Sequence, residues 1–370
     1  MFMEKMTFEE FIKAVVEKIK EFLPEKYEDC TVSVNDVVKN NDTKLHALTV
    51  SSPEGNVAPT IYLEQFYGDY QDGHALEDVL EEIARVRVDH EVGQDMDVSR
   101  LTDYEKVENR ITARLINAEK NAEYLADKPY KMVDDLAVVY SINLGEHEGG
   151  TMSVAVTDNL MEKYGVTVDD LHEAAMRNMD EISPSTFKSM GQVLAEMMGE
   201  DFPHEMLPPD DGMMFVLSNN SKLYGAAALL DDKVMSDIAE RFGEFYILPS
   251  SVHETLIVPK RDGMELSDLE TMVREVNSTQ VAEHEQLSDH VYAYDAVTHE
   301  LYRADKETDR QAAKETVKVD VTDIQKDIKA PEKKPSVLGK LAESKEKAAA
   351  MAKAAPPRDM GIKRDAASLA

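Results

Sequence analysis

The stretch PSSVHETLIVP (249–259) sets two hydroxyls, an imidazole and a carboxylate within five positions: Ser250, Ser251, His253 and Glu254. These are the parts of a nucleophile and its base, where an imidazole relieves a hydroxyl of its proton. In an extended chain Ser251 and His253 share one face, and Ser250 and Glu254 share the other. Residues two apart on a strand stand roughly 6–7 Å from each other, too far for a direct hydrogen bond. A hydrolytic site built here therefore needs a partner group from elsewhere in the fold. A second stretch, EDFPHEMLPPDDG (200–212), gathers His204, Glu205, Asp210 and Asp211, donors of the kind a divalent cation takes. Its three prolines and lack of any basic residue read as an exposed loop, and nothing in the spacing fixes a ligand geometry. No metal and no cofactor is assigned on this basis.

Seven of the ten histidines are followed directly by Glu: His90, His147, His172, His204, His253, His284 and His299. None opens an H-E-x-x-H pattern, which would place two imidazoles on one helical face. Adjacent side chains point about 100° apart on a helix and to opposite faces of a strand, so a bare His-Glu pair is not a chelating unit. No glycine pattern matches a phosphate-binding loop or a dinucleotide fingerprint, and no G-x-S-x-G elbow is present. Nine of the 20 methionines fall between Met161 and Met214. Such a cluster fills a core at helical spacing or lines an adaptable groove, and only exposure separates the two.

The elements that must position these residues read as α+β, with antiparallel strands and packed amphipathic helices. Phe8, Phe11, Ile12, Val15, Val16, Ile19, Phe22 and Leu23 form one apolar stripe, opened by a Thr7/Glu10 capping box and closed by Pro24. Strand-like alternation follows at Cys30–Val34, 45–50 and 58–63, with short turn-rich connectors, and a second helix at 76–84. Residues 103–127 are ambiguous between helix and strand. A hairpin is expected at 136–157 around GEHEGG, then a helix opened by Thr167 and Asp170, and another opened by Ser185 with Phe187 and Met190 on its face. Strands at 213–217, 245–248 and 252–258 alternate with helices near 233–242 and 267–276, and a hairpin closes the body at 290–302. The expected organisation is two α+β units, 1–130 and 131–303, followed by a charged, Ala/Lys-rich tail, 304–370, that is disordered or partly helical.

Charge divides the chain in the same place. The tail carries a net charge of +3, so the remainder of the chain's −32 leaves −35 on residues 1–303. So acidic a body repels phosphate, which argues against direct binding to nucleic acid or anionic lipid and favours basic protein partners. No run approaches the length of a membrane span. The N-terminal stretch mixes Glu and Lys through its apolar positions, unlike a signal peptide. The single cysteine, Cys30, fits a reducing, cytoplasmic setting.

Six segments carry a family resemblance: PTIYLEQFYGDYQDG, RITARLINAEKNAEYLADKP, VTVDDLHEAAMRNMDEISPSTFKSM, YGAAALLDD, FYILPSSVHETLIVP and LSDHVYAYDAVTHELYRAD. Together they resemble an uncharacterised "domain of unknown function" family of anaerobic Gram-positive bacteria, across most of residues 4–303. The resemblance implies a bacterial protein and no activity. The functional expectation is therefore a cytoplasmic, non-enzymatic interaction protein. The alternatives are a hydrolase or metal-assisted enzyme assembled across loops, and a nucleic-acid mimic that binds basic proteins.

Overall fold

A computed structural model describes residues 5–53, 58–91, 98–147, 150–198 and 213–308. The 200–212 loop, with His204, Glu205, Asp210 and Asp211, lies outside the described residues, as does the tail beyond residue 308.

The first lobe is three helices on a small sheet. Helix α1 (Phe8–Phe22) begins with the Thr7/Glu10 capping box in place: Thr7 Oγ1 accepts from Glu10 N–H, and the Glu10 carboxylate accepts from Thr7 N–H. Strands β1 (Thr31–Val38), β2 (Lys44–Ser51) and β3 (Thr60–Tyr62) form an antiparallel meander in that order. Helix α2 (Leu63–Asp72) follows β3 without a break and ends at Gly73 in the left-handed region, and α3 is Leu76–Asp89. Phe11, Val15 and Ile19 of α1 meet Leu48, Val50, Ile61, Phe66, Leu80 and Ile83 in one buried cluster. The sequence pattern gives one helix after the three strands and misses α2. The residues of LEQFYGDYQD that pack, Leu63, Phe66, Tyr67 and Tyr70, are spaced for a helix but sit directly against a strand-like run.

The second lobe holds two further antiparallel sheets. Helix α4 (Tyr104–Val107) leads into β4 (Ile111–Asn117), so the ambiguous region contains both element types. Strands β4, β6 (Leu136–His147) and β5 (Tyr130–Val133) lie side by side, and β7 (Gly150–Ala155) pairs with β6 in the expected hairpin. The β4–β6 pairing runs across residue 130, and residues from Val107 onward share the large second core. After α5 (Asp158–Tyr164), α6 (Val168–Ile182) opens with the Thr167/Asp170 box.

The segment after Ser185 corrects the expected helix. Ser185–Ser189 is strand β8, paired residue for residue with β9 (Phe215–Asn219), and Phe187 stacks on Phe215. Helix α7 (Met190–Met198) begins one strand later, where Ser189 N–H donates to Gln192 Oε1 and Gln192 N–H donates to Ser189 Oγ. Ser185, which reads as a helix opener, is a strand residue here, because a five-residue β partner outweighs local capping propensity.

The remaining elements are α8 (Asp232–Phe242), β10 (Phe245–Leu248), β11 (Thr255–Pro259), α9 (Leu266–Gln280), β12 (Tyr292–Asp295) and β13 (Glu300–Arg303). The large sheet runs β13-β12-β10-β11-β9-β8. One face packs through Phe215, Leu217, Phe245, Ile247, Ile257 and Tyr292 on α6, α8 and the β4–β6 sheet; the other packs through Leu248, Val258 and Val291 on α9. No helix among the described residues is long and apolar enough to cross a membrane.

The lobes meet at a polar joint. The β1–β2 turn, Asn40–Asp42, enters the second lobe with Asn41 and Asp42 in the left-handed region (φ 61° and 50°). Asn40 Nδ2 donates to the carbonyls of His284 (3.1 Å) and Gln286 (3.0 Å), and Asn41 Nδ2 donates to those of Glu283 (2.7 Å) and Gln286 (2.9 Å). The fully buried Asn121 accepts from Asn41 N–H at 2.8 Å and donates to Asn40 Oδ1 and Asn41 Oδ1. The Asp42 carboxylate takes the backbone N–H groups of Glu123 and Tyr124, both at 2.8 Å.

Candidate functional site: a cationic cavity between the lobes

Directly beside this joint lies a cavity of about 280 Å³, lined by both lobes. Its chemistry begins with Lys39, the residue that follows β1 as the chain turns into the Asn40–Asp42 tip. The Lys39 ammonium sits over the ring of Tyr62, 4.5 Å from its centroid. Opposite in sequence, Arg114 occupies the middle of β4. Because side chains alternate along a strand, the neighbouring Leu115 enters the core while Arg114 turns to the cavity. Its guanidinium stacks on Tyr224 at 3.8 Å from the centroid and donates to Ser153 Oγ. Both cation–tyrosine pairs face the same space.

Among the described residues, neither Lys39 nor Arg114 makes an ion pair with a carboxylate. What sets them apart is that both line one cavity, each against a tyrosine ring. Glu64 and Glu285 also line the cavity. Glu64 Oε1 lies 2.8 Å from His46 Nδ1 while its buried Oε2 has no hydrogen-bond partner among the described residues. Glu285 Oε1 lies 3.7 Å from His253 Nε2, beyond hydrogen-bond distance. Burial, and then the like charge of Arg114, bring the Lys39 ammonium down to about 8. A half-buried cation with no ion-paired carboxylate beside it is an arrangement that a bound anion would relieve.

His253 reaches the cavity from the stretch the sequence singles out, but its neighbours do not come with it. The strand expected from Val252 begins only at Thr255, and Ser250–Glu254 form a turn. Ser251 Oγ accepts from His253 N–H at 3.0 Å, so the hydroxyl faces backbone rather than the imidazole. Ser251 also bridges to Gln286, Ser250 uses its carbonyl to take Leu287 N–H, and Glu254 is exposed. Of the four residues, His253 alone lines the cavity. Its Nδ1 accepts from the backbone N–H of Tyr224 at 3.1 Å, which leaves Nε2 as the ring's donor, directed at Glu285.

That bond explains how Tyr224 is held. Tyr224 has φ 53°, and Lys222, two residues earlier, has φ 57°. Non-glycine residues adopt this region only when their surroundings impose it. Here Asn219, buried in β9, bonds the 221–223 segment through Oδ1 and Nδ2, while His253 fixes Tyr224 N–H. The chain then enters the 3-10 helix Gly225–Leu230. A Cβ on Gly225 would stand 2.3 Å from Ser218 Oγ, 2.5 Å from the His253 carbonyl and 2.7 Å from Asn219 N. Glycine is what lets this segment lie flat on β9 and present Tyr224 to Arg114.

The other chemistry-bearing groups disperse. His90 bonds back to Val86 O, His172 meets the Tyr140 hydroxyl, and His299 meets Tyr294 and Ser236. His284 and His253 share the cavity. Burial lowers the His172 pKa, and burial raises Tyr140 well above the usual tyrosine range. Glu270, His290 and Asp305 bring ligand atoms within 4.8 Å of one another, yet Arg303 already donates to both Asp305 oxygens, at 3.0 and 2.6 Å. The methionines divide as well: Met179 is buried and lines the cavity, whereas Met197 is 71% exposed.

Lys39, Tyr62, Arg114 and Tyr224 carry no motif that sequence reasoning could use. The usable signal was the left-handed turn chemistry of KNND and the NNSKLYG run, which mark backbone under constraint rather than solvated loops.

Comparison with known proteins adds a family without an activity: the model for a family of unknown function (DUF5688) matches residues 8–296. No curated protein and no solved structure matches the chain.

Proposed function

The chain belongs to the DUF5688 family, whose function is unknown, and we propose that it is a binding protein whose inter-lobe cavity takes a small anion. The proposal narrows the expectation of a non-enzymatic interaction protein to a small ligand, a carboxylate or a phosphate ester. One observation carries it: Lys39 and Arg114 face one cavity, each backed by a tyrosine ring, and neither is neutralised by a carboxylate among the described residues. The ring faces and the apolar Leu45, Ala227 and Val252 beside them suit a ligand with an apolar portion. The buried free thiol of Cys30 supports a cytoplasmic setting. Basic protein partners, drawn to the net charge of −32, form a separate proposal that native affinity purification tests.

The cavity reading is tested by thermal melts of the full chain with small carboxylates and phosphate esters at constant ionic strength. A ligand that binds only the folded state stabilises it by roughly 2.7 kcal/mol at 100 times its Kd. The expected result is saturable stabilisation that Lys39→Met and Arg114→Gln each abolish. Stabilisation that persists in both variants, or none beyond a matched salt control, would overturn it.

A further inference from the structure

We infer that the cavity captures the carbonyl of a small 2-oxo acid as an imine on Lys39, with Arg114 holding the acid's carboxylate. The inference rests on the anion-binding reading and goes beyond it, because it assigns the two cations different roles. Arg114 has a fixed charge and a planar fork suited to a carboxylate. Its stacking on Tyr224 and its bond to Ser153 fix its plane. Lys39 has the other character. Its amine lies over Tyr62 with no ion-paired acid among the described residues, and a neighbouring guanidinium disfavours its charged form. A lysine desolvated next to another cation is the setting in which an amine becomes a nucleophile towards carbonyl carbon. With its pKa down to about 8, about one Lys39 amine in ten is unprotonated at pH 7. For an ordinary lysine the fraction is on the order of one in a few thousand.

The step balances without any oxidant or reductant. The Nζ lone pair forms the C–N bond, and the carbonyl π pair moves to oxygen. A proton passes from nitrogen to that oxygen, and the carbinolamine then loses water as the C–O bond breaks. The imine left on Lys39 carries the acid's carboxylate towards Arg114. His253, whose Nε2 is its donor nitrogen, lines the same space and gives the departing oxygen a polar neighbour.

The test uses glyoxylate as the carbonyl probe and glycolate, its carbonyl-free counterpart, as the anion probe, on the full chain at pH 8. Cyanoborohydride delivers hydride to the imine carbon and fixes it as a carboxymethyl amine, which peptide mass spectrometry maps to a residue. The expected result is Lys39 modified at least about tenfold faster than any other lysine, in keeping with its larger unprotonated fraction. Glycolate should slow that modification. Lys39→Arg should remove the label, and Arg114→Gln should slow labelling and weaken glycolate together. If Lys39 reacts no faster than surface lysines while glycolate still stabilises the chain, the imine falls and the anion site stands. If glycolate neither stabilises nor protects, both fall, and rapid labelling of Lys39 would then report amine exposure alone.

Discussion

At the scale of single residues, the site turns on how two positive charges tolerate each other. Burial and Arg114 disfavour the Lys39 ammonium and bring its pKa to about 8, whereas an unfolded lysine holds its proton to about 10.4. Between these values the unfolded chain binds the extra proton, so this group's contribution to stability improves as pH rises through that window. Below about 8 the penalty is present in full. A bound anion reverses the balance by favouring the charged amine. Non-covalent anion binding near pH 8 should therefore take up protons, and affinity should fall as pH rises above about 8. Calorimetric titration of glycolate in two buffers of different ionisation enthalpy measures the uptake. Heats that do not depend on buffer, or an uptake that survives Lys39→Met, would remove Lys39 from the site. Little of this was legible in the sequence. His253 stood out by its neighbours, but its bond to Tyr224 N–H required a left-handed residue 29 positions away in the chain. Lys39 and Arg114 looked like two ordinary basic residues, because what distinguishes them is the shared cavity and the tyrosine ring behind each, which only the fold brings together.

At the scale of elements, periodicity and caps were reliable where one element meets its core through a single face. Helices α1 and α6 carry the capping boxes read from Thr7/Glu10 and Thr167/Asp170. The hairpins β6–β7 and β12–β13 likewise follow alternation and turn residues. Errors arose where partners were distant: β8 is a strand only because β9 lies beside it, and the turn at Ser250–Glu254 depends on contacts to residues 285–288. The 3-10 helix Gly225–Leu230, on which the sequence pattern is silent, gives a sharp test. In Gly225→Ala the added methyl meets two backbone atoms, His253 O and Asn219 N, within 2.7 Å, and neither can rotate away. Overpacking of this kind costs typically about 1–3 kcal/mol, and it should also displace Tyr224 and weaken anion binding. Gly68→Ala is the control, since its exposed position in α2 has open space around it. That change should be neutral or stabilise by up to roughly 1 kcal/mol through helix propensity. Melts in which both variants behave alike would mean that the close approach at Gly225 carries no energetic weight.

At the scale of the whole molecule, the fold is two lobes joined by hydrogen bonds, with the cavity at the joint. The N-terminal cluster around Phe11, Leu48 and Leu80 and the larger cluster around Ile111, Tyr140 and Ile247 are separate, and Asn40, Asn41, Asp42 and Asn121 span between them. Composition and patterning anticipated α+β layers, but not how one lobe would seat on the other, because side-chain amides that bond across a joint leave no periodicity. Asn121 is the centre of that joint, and it is fully buried. In Asn121→Ala the N–H of Asn41 loses its acceptor, and Asn40 Oδ1 and Asn41 Oδ1 lose a donor, all at half-buried positions around the vacated side chain. Leaving buried polar groups unpaired costs about 1–3 kcal/mol. The loss should be local to the tip, because α1, α3 and β2 pack in a core that Asn121 does not enter. Hydrogen exchange should therefore quicken at Lys39–Thr43 and at Glu123–Tyr124 while the amides of α1 keep their protection. Since Lys39 and Asn40 both line the cavity, anion affinity should fall with it. Glu119→Ala, at an exposed position two residues away, serves as the reference. Unchanged exchange at the tip, or equal loosening throughout α1, would show that the lobes are held by something other than this joint.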